Sequence, residues 1–209
     1  MCPNEGEYFT VFAKELESVK GLVRYAAALV IAVVLGIGSA FGFIILISSA
    51  STVQNGPWRT DLTAGSSAGN IYSRALIALK GLLALNKSET MYFSAFTDDR
   101  GDRLRDRCSY IIEGRPLAAR WWSITLYGQD NFLVPNQISR YSYSMTTVRW
   151  NNDGTYTIRV SPKAGEGNWL PCAGGRHFTL IVRLYNPDPS VYEHPGSTPL
   201  PRIMKESCP

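Results

Sequence analysis

Seven polar and aromatic residues in the second half of the chain have types suited to recognising a ligand: Asn136, Arg140, Tyr141, Asn168, Trp169, Arg183 and Tyr185. A guanidinium forks onto carboxylate or phosphate oxygens, an amide reaches hydroxyls, and Trp or Tyr rings stack on flat or sugar-like surfaces. Together they point to a polar, hydroxylated or anionic ligand. The competing reading is architectural: such residues also hold turns and strand ends together, with Asn168 bonding backbone and Trp169 plugging the core.

Reaction chemistry has less to draw on. His177 and His194 are the only histidines, and neither belongs to a His-x-His or His-x-x-x-His pair, so a cupin-like or zincin-like metal centre is unsupported. His177, between Arg176 and Phe178, reads as a residue at a sheet end. No Gly-x-Ser-x-Gly elbow occurs. The carboxylates of Asp98, Asp99 and Asp102 (DDRGD) lack the alternation of a calcium loop and read as a solvated turn. No catalytic residue, metal ligand or cofactor is therefore assigned. An enzyme, specifically a hydrolase or carbohydrate-active enzyme using Arg140, Asn168 and Arg183, stands as the second reading behind a binding module.

The elements that must carry these residues are mostly strands. Short segments rich in aromatic and β-branched residues occur at 91–96, 109–112, 119–127, 142–150, 155–160 and 178–185, separated by turn clusters such as Glu113-Gly114-Arg115-Pro116 and Asn151-Asn152-Asp153-Gly154. Within 119–127, Trp122, Ile124 and Leu126 alternate with Ser123, Thr125 and Tyr127, which predicts one core face and one wetter face. With no helices between these strands, the pattern predicts an antiparallel β-sandwich or jelly roll. Helical spacing appears at 70–85, where Ile71, Ala75, Leu79 and Leu82 fall on one face, and predicts a helix flanking the sheet. The proline-rich tail, 187–209, is expected to run extended along the sandwich.

Before all this lies YAAALVIAVVLGIGSAFGFIILI, residues 25–47, without a charge. A hydrocarbon core of about 30 Å takes roughly 20 helical residues, so this stretch predicts a transmembrane helix. A cleaved signal peptide ending at Ala50 is the rival, but the apolar run exceeds a signal core and a long arm, 1–24, precedes it. Lys14, Lys20 and Arg24 precede the run, whereas Arg59 is the first basic residue after it. The positive-inside rule then predicts a cytoplasmic arm and an inner-membrane anchor. Beyond it come a linker, 48–69, and a periplasmic domain, 70–209. Gly38 and Gly42 have GxxxG spacing, which could let two copies pair in the membrane.

Charge and cysteines narrow the partners. Lys and Arg outnumber Asp and Glu by only 21 to 17, and no basic run is interleaved with aromatics, so nucleic acid is not an expected partner. Cys2 precedes the apolar run. Cys108, Cys172 and Cys208 follow it, on the side expected to be oxidising, where a disulfide is allowed and one thiol is left over. Spacing does not say which two pair.

Two segments, RWWSITLYGQDNFLVPNQISRYS (120–142) and NWLPCAGGRHFTLIVRLYNPDP (168–189), resemble a bacterial family catalogued as domain of unknown function 1214. The marks are the WSITLY strand, Asn136 and Arg140-Tyr141-Ser142, the Asn-Asp-Gly turn at 152–154, Asn168-Trp169-Leu170-Pro171, and Arg183-Leu184-Tyr185 before Pro187. The resemblance covers most of the chain after the apolar run and implies a jelly-roll-like β fold. In longer members this domain follows a second one, domain of unknown function 1254. A chain with an anchor in that place resembles the short members, which implies that a separate chain could carry the second domain. Cys172 stands where the family pattern has a small apolar residue. The family has no accepted catalytic residues to carry over. The expectation is a membrane-anchored envelope protein, a non-enzymatic module that binds a partner protein or an envelope glycan or lipid.

Overall fold

The structure is a computed structural model that describes residues 5–50, 52–61, 85–172 and 176–209. The helix expected over 70–85 lies, up to residue 84, outside the described residues. Two compact units divide the chain, residues 1–46 and 47–209.

The first unit is the greater part of one long helix, α1 (Glu5–Ala50). It starts well before the predicted span, and its segment Val19–Phe43, 25 residues, is long and apolar enough to cross a membrane. At 1.5 Å per residue that segment measures about 37 Å, more than a hydrocarbon core requires. Leu29, Val30, Ile31, Val33, Val34 and Leu35 are all exposed. Because neighbouring helical residues point about 100° apart, these side chains make the helix apolar all round, a pattern that suits lipid and not the flank of a soluble domain. A signal sequence meets the same criterion.

The second unit is mainly β. Its first sheet is built from β1 (Thr52–Asn55), β2 (Trp58–Asp61), β3 (Thr90–Ala95), β5 (Ala119–Gly128), β6 (Ser142–Ser144) and β9 (Phe178–Pro187), in the order β1-β2-β3-β9-β5-β6. The second contains β4 (Ser109–Gly114), β7 (Tyr156–Ser161), β8 (Asn168–Pro171) and β10 (Arg202–Ser207), in the order β10-β4-β7-β8. The pairs of the first sheet are antiparallel, but β7 and β8 run parallel, with Ile158 opposite Asn168 and Val160 opposite Leu170. The second sheet is therefore mixed, a correction to the purely antiparallel expectation. The reason lies in the chain path: the loop 162–167 carries the chain back along β7, so that β8 starts level with Ile158 and runs in the same direction.

Two further expectations change. The segment 48–69, expected as a linker, contributes the β1–β2 hairpin, which extends the first sheet through Trp58↔Ala95 and Arg59↔Ser94. Gly56, at φ 58°, takes the first position of its two-residue turn, where a side chain would be strained. Trp58 then drops into the core, 1% exposed, with its Nε1–H donating to the Pro201 carbonyl at 2.7 Å. The expected strand 142–150 is only β6, because Ser144 accepts turn hydrogen bonds from the Thr147 and Val148 amides at its carbonyl and ends the ladder.

The core lies between the sheets and is closed by aromatic pairs that cross from one to the other. Trp122 of β5 stacks on Tyr156 of β7 with ring centroids 4.9 Å apart, and Tyr110 of β4 meets Phe178 of β9 edge-on at 5.6 Å. Offset and edge-on arrangements suit the quadrupoles of the rings, so these contacts set the spacing of the sheets as well as filling it. The tail after β9 is more structured than an extended strap. It forms a one-turn helix α2 (Pro189–Glu193), a 3-10 turn (Pro195–Ser197), and then β10, which pairs with β4. Three further ties hold β10. Lys205 bridges Asp98 and Asp102, Arg202 and the Ile203 amide bond to Asp99, and Cys208 forms a disulfide with Cys108. Asp98 is 1% exposed and caps the Arg100 and Asp102 amides, so the DDRGD turn, whose residues 99–102 are exposed as expected of a solvated turn, is also a docking point for the tail.

Candidate functional site

The candidate site is the face of the first sheet that turns away from the shared core. Strand alternation puts Met91, Phe93, Trp122, Ile124, Leu126, Leu180, Val182 and Leu184 in the core. The residues between them form cross-strand rows on the other face. Tyr92 stands opposite Arg183, which stands opposite Ser123. The next rows are Thr90–Tyr185–Trp121 and Ser94–Ile181–Thr125.

Arg183 organises this face. Its Nη1 donates to Thr125 Oγ1 at 3.0 Å and its Nη2 to the Tyr127 hydroxyl at 2.6 Å. Its guanidinium carbon lies 5.2 Å from the Tyr127 ring centroid and 5.8 Å from that of Tyr92, within cation–π range. Tyr185 packs edge-on against Trp121 at 5.2 Å. Burial raises the Tyr92 phenol above its ordinary value, reinforced by Tyr185 and opposed by the charge of Arg183, so Tyr92 stays a neutral hydroxyl at physiological pH. Among the described residues no carboxylate pairs with Arg183. The face is less wet than the alternation implies: Ser123 and Thr125 are 6% and 7% exposed, and Arg183 donates to the Thr125 hydroxyl.

The other candidates lie elsewhere. Asn136 clamps its own loop, donating from Nδ2 to the Val134 and Arg140 carbonyls at 3.1 and 2.9 Å and accepting the Arg140 amide at 2.9 Å. The Arg140 guanidinium lies over the Tyr143 ring, 5.0 Å from its centroid, and Tyr141 offers its carbonyl to the Leu126 amide. Tyr143 is opposite core-facing Ile124, so this group belongs to the side of the sheet away from Arg183. Asn168 is 6% exposed and satisfied by backbone: it accepts the Arg149 amide at 2.7 Å and donates to the Arg149 and Thr157 carbonyls at 2.8 and 3.0 Å. Trp169 donates Nε1–H to the Ser161 carbonyl at 3.1 Å and accepts the Tyr143 hydroxyl on its own carbonyl. Of the seven residues, the structure joins Arg183 and Tyr185 on one face and sets Asn136, Arg140, Tyr141, Asn168 and Trp169 apart from them. It adds Tyr92, Thr125, Tyr127 and Trp121, which sequence reasoning did not single out. Their alternation was readable, but nothing local shows that β9 inserts between β3 and β5 and brings them to Arg183.

Of the three candidate cysteines, Cys108 and Cys208 are paired and Cys172 is a buried thiol. Burial, helped by nearby Asp106, pushes Cys172 up to about 12, so it is no nucleophile. Among the described residues no group of three or more His, Cys, Asp and Glu could hold a metal ion. His177 meets the Leu104 carbonyl through Nδ1 at 3.2 Å, across an isolated bridge between Arg105 and His177.

Comparison with known proteins agrees with a β domain of unassigned activity. No curated protein matches the chain. The crystal structure of the VPA0106 protein from Vibrio parahaemolyticus is similar, with 26% sequence identity and a TM-score of 0.56 over 65% of this chain. The match spans only 34% of that protein's own length. An uncharacterized protein from Burkholderia cenocepacia matches at 18% identity and a TM-score of 0.37, over 56% of this chain and 29% of its own. The family described as "Protein of unknown function (DUF1214)" matches residues 89–189, which hold β3 to β9 and every residue of the Arg183 cluster. That segment, residues 89–189, is what this chain shares with the DUF1214 family.

Proposed function

We propose that this protein is a membrane-anchored, non-enzymatic binding module of the bacterial cell envelope. Its Arg183 face receives an anionic, hydroxylated group of an envelope glycan or lipid. The observation that carries the reading is the half-buried guanidinium of Arg183, held by two hydroxyls, flanked by tyrosine rings and without a carboxylate partner among the described residues. A guanidinium fixed by neutral hydroxyls keeps its charge uncompensated and its remaining donors available, and aromatic rings beside it suit a sugar face. The apolar helix supports an anchor, and the Cys108–Cys208 disulfide supports an oxidising compartment for the β domain. On the family resemblance, a separate chain carrying the domain of unknown function 1254 is the protein partner we propose.

The test is a binding measurement on the full chain in lipid nanodiscs, using phosphorylated and uronic-acid oligosaccharides against their neutral counterparts. The expected result is selective binding of the anionic probes, weakened at least tenfold by Arg183→Gln and less by Arg183→Lys. Equal binding of neutral and anionic probes, or an Arg183→Gln protein that binds like the wild type, overturns it. Turnover of a bound oligosaccharide that disappears with Arg183→Gln moves the reading to a carbohydrate-active enzyme.

A further inference from the structure

The segment between β3 and β4 sorts its side chains by strand alternation. Residues 102–107 read Asp-Arg-Leu-Arg-Asp-Arg, and the bridges Thr97↔Arg103 and Arg105↔His177 hold their middle extended. On extended backbone neighbouring side chains point to opposite faces, and residues two apart share a face at about 6.6 Å. Leu104 and Asp106 accordingly turn inward, 0% and 6% exposed, and Arg103 and Arg105 are left exposed on the other face. Arg107, also exposed, follows in the turn that the Cys108 amide closes on the Arg105 carbonyl.

The acids of the same segment do not neutralise these arginines. Asp99 pairs with Arg202, and Asp98 and Asp102 pair with Lys205, so two cations of the tail take the carboxylates that the sequence sets beside the arginines. Residues 98–107 hold four Asp and four Arg, a balanced stretch that becomes a cationic surface once β10 is in place. Among the described residues no ion pair involves Arg103, Arg105, Arg107 or the exposed Arg176, whose carbonyl accepts the Asp106 amide. Beside these cations the surface is apolar. Arg176 and His177, the residue opposite Arg105, line a cleft of about 210 Å³ together with Leu133 of the loop after β5. On that loop Phe132 and Leu133 are 73% and 42% exposed. Single exposed apolar side chains are ordinary, but a phenyl and a leucyl group adjoining unpaired cations form a patch of mixed character.

We propose that this patch docks the β domain on an anionic phospholipid surface, with Arg103, Arg105, Arg107 and Arg176 on the headgroup phosphates and Phe132 and Leu133 at the acyl boundary. A lipid surface answers both halves of the patch: guanidinium groups fork onto phosphate oxygens and are drawn to anionic headgroups, and exposed apolar side chains enter the interface. A soluble polyanion answers only the first half. The chain also brings the partner with it, since α1 contains a segment of membrane length and ends at Ala50, and β1 begins at Thr52. This inference is independent of the Arg183 reading, which uses none of these residues.

The experiment is co-sedimentation of the full chain, held in phosphatidylcholine nanodiscs, with vesicles of phosphatidylglycerol or of phosphatidylcholine. The neutral disc leaves the arginines free for the added vesicle. At least tenfold more protein is expected with the anionic vesicles, a preference that weakens with salt. Arg103→Gln combined with Arg105→Gln is expected to reduce it at least fivefold, and Phe132→Ser to weaken vesicle binding without changing its salt dependence. All three substitutions alter exposed side chains, so circular dichroism is expected to be unchanged. Equal capture by the two vesicles, capture by neither, or a preference that survives the double substitution overturns the proposal. Vesicle binding that Phe132→Ser leaves intact, with dextran sulfate bound as tightly, marks a site for soluble polyanions and overturns it too. A preference lost with Arg183→Gln and kept with the double substitution assigns the lipid to the Arg183 face, which overturns this inference and leaves that reading standing.

Discussion

At the scale of single residues, the difference between a binding group and a structural one is where the hydrogen bonds go. Asn168 and Arg183 are both polar residues in strands marked by the same sequence pattern, yet the three bonds of Asn168 all end on backbone, joining β8 to the Arg149 turn and to β7. Asn168→Ala removes all three and leaves one amide and two carbonyls to find other partners. We expect a loss of about 2–3 kcal/mol in a denaturant melt, the range for unsatisfied buried groups, with little change in affinity for an Arg183 ligand. Arg183 bonds only side-chain hydroxyls, so Arg183→Gln should change binding far more than stability. A melt that falls more for Arg183→Gln than for Asn168→Ala would reverse these assignments.

At the scale of elements, β10 is the piece whose attachment can be measured. Its ties are the Lys205 bridge to Asp98 and Asp102, the Arg202 and Ile203 contacts with Asp99, an Arg159–Glu206 pair at 2.9 Å, and the disulfide. The bond from Lys205 holds the Asp102 carboxyl below its ordinary value, and the same bond, with the charge of Asp98, holds Lys205 above its own. A lowered carboxyl contributes stability that is present above its unfolded value, about 3.9, and is lost as pH falls through the folded one. A raised lysine contributes stability that is present below about 10.4 and is lost as pH rises through its folded value. The strand should therefore be best protected between about pH 4 and pH 10, and the hydrogen-exchange protection of 202–207, corrected for the intrinsic exchange rate at each pH, should fall outside that window. Lys205→Met should flatten the dependence at both ends. An unchanged profile in that variant would show that the bridge does not control the strand.

The disulfide acts on the same element by another route. It closes a separation of 100 residues, and a loop of that size is worth about 3–5 kcal/mol through the unfolded chain, on the loop-entropy account. Cys208→Ser should cost that amount in a melt. Alkylation followed by mass measurement gives the pairing directly: Cys172 should resist labelling in the native state and react after unfolding without reductant, whereas Cys108 and Cys208 should need reductant. Labelling of Cys108 without reductant would refute the pair.

At the scale of the whole molecule, a helix apolar on every side and a β domain with its own core ask for different solvents. If the helix is retained as an anchor with the arm inside, the full chain should stay with membranes through alkaline carbonate washing. A reporter fused after Pro209 should be active only as the form that works outside the cytoplasm. Release by carbonate would speak for a cleaved signal, and a cytoplasmically active reporter would reverse the orientation.

Much of the molecule was legible because its determinants are local. Apolar length specifies a helix of membrane dimensions, since the backbone must satisfy itself there. Alternation of Trp122, Ile124 and Leu126 with Ser123, Thr125 and Tyr127 identifies a strand and its two faces before any partner is known. What stayed hidden depends on which strands become neighbours. The register that sets Tyr92 and Ser123 on either side of Arg183, the parallel pairing of β7 with β8, and the choice of Cys208 over Cys172 for Cys108 all join residues far apart in the chain. So does the enclosure of Asp106, whose surroundings RLRDRC does not announce. The amino-acid sequence alone thus determined the apolar helix, the strands and their faces, because those follow from one residue's chemistry and its near neighbours. Only the tertiary structure decided which polar residues meet without a partner, because burial and uncompensated charge belong to the packed chain and not to any segment of it.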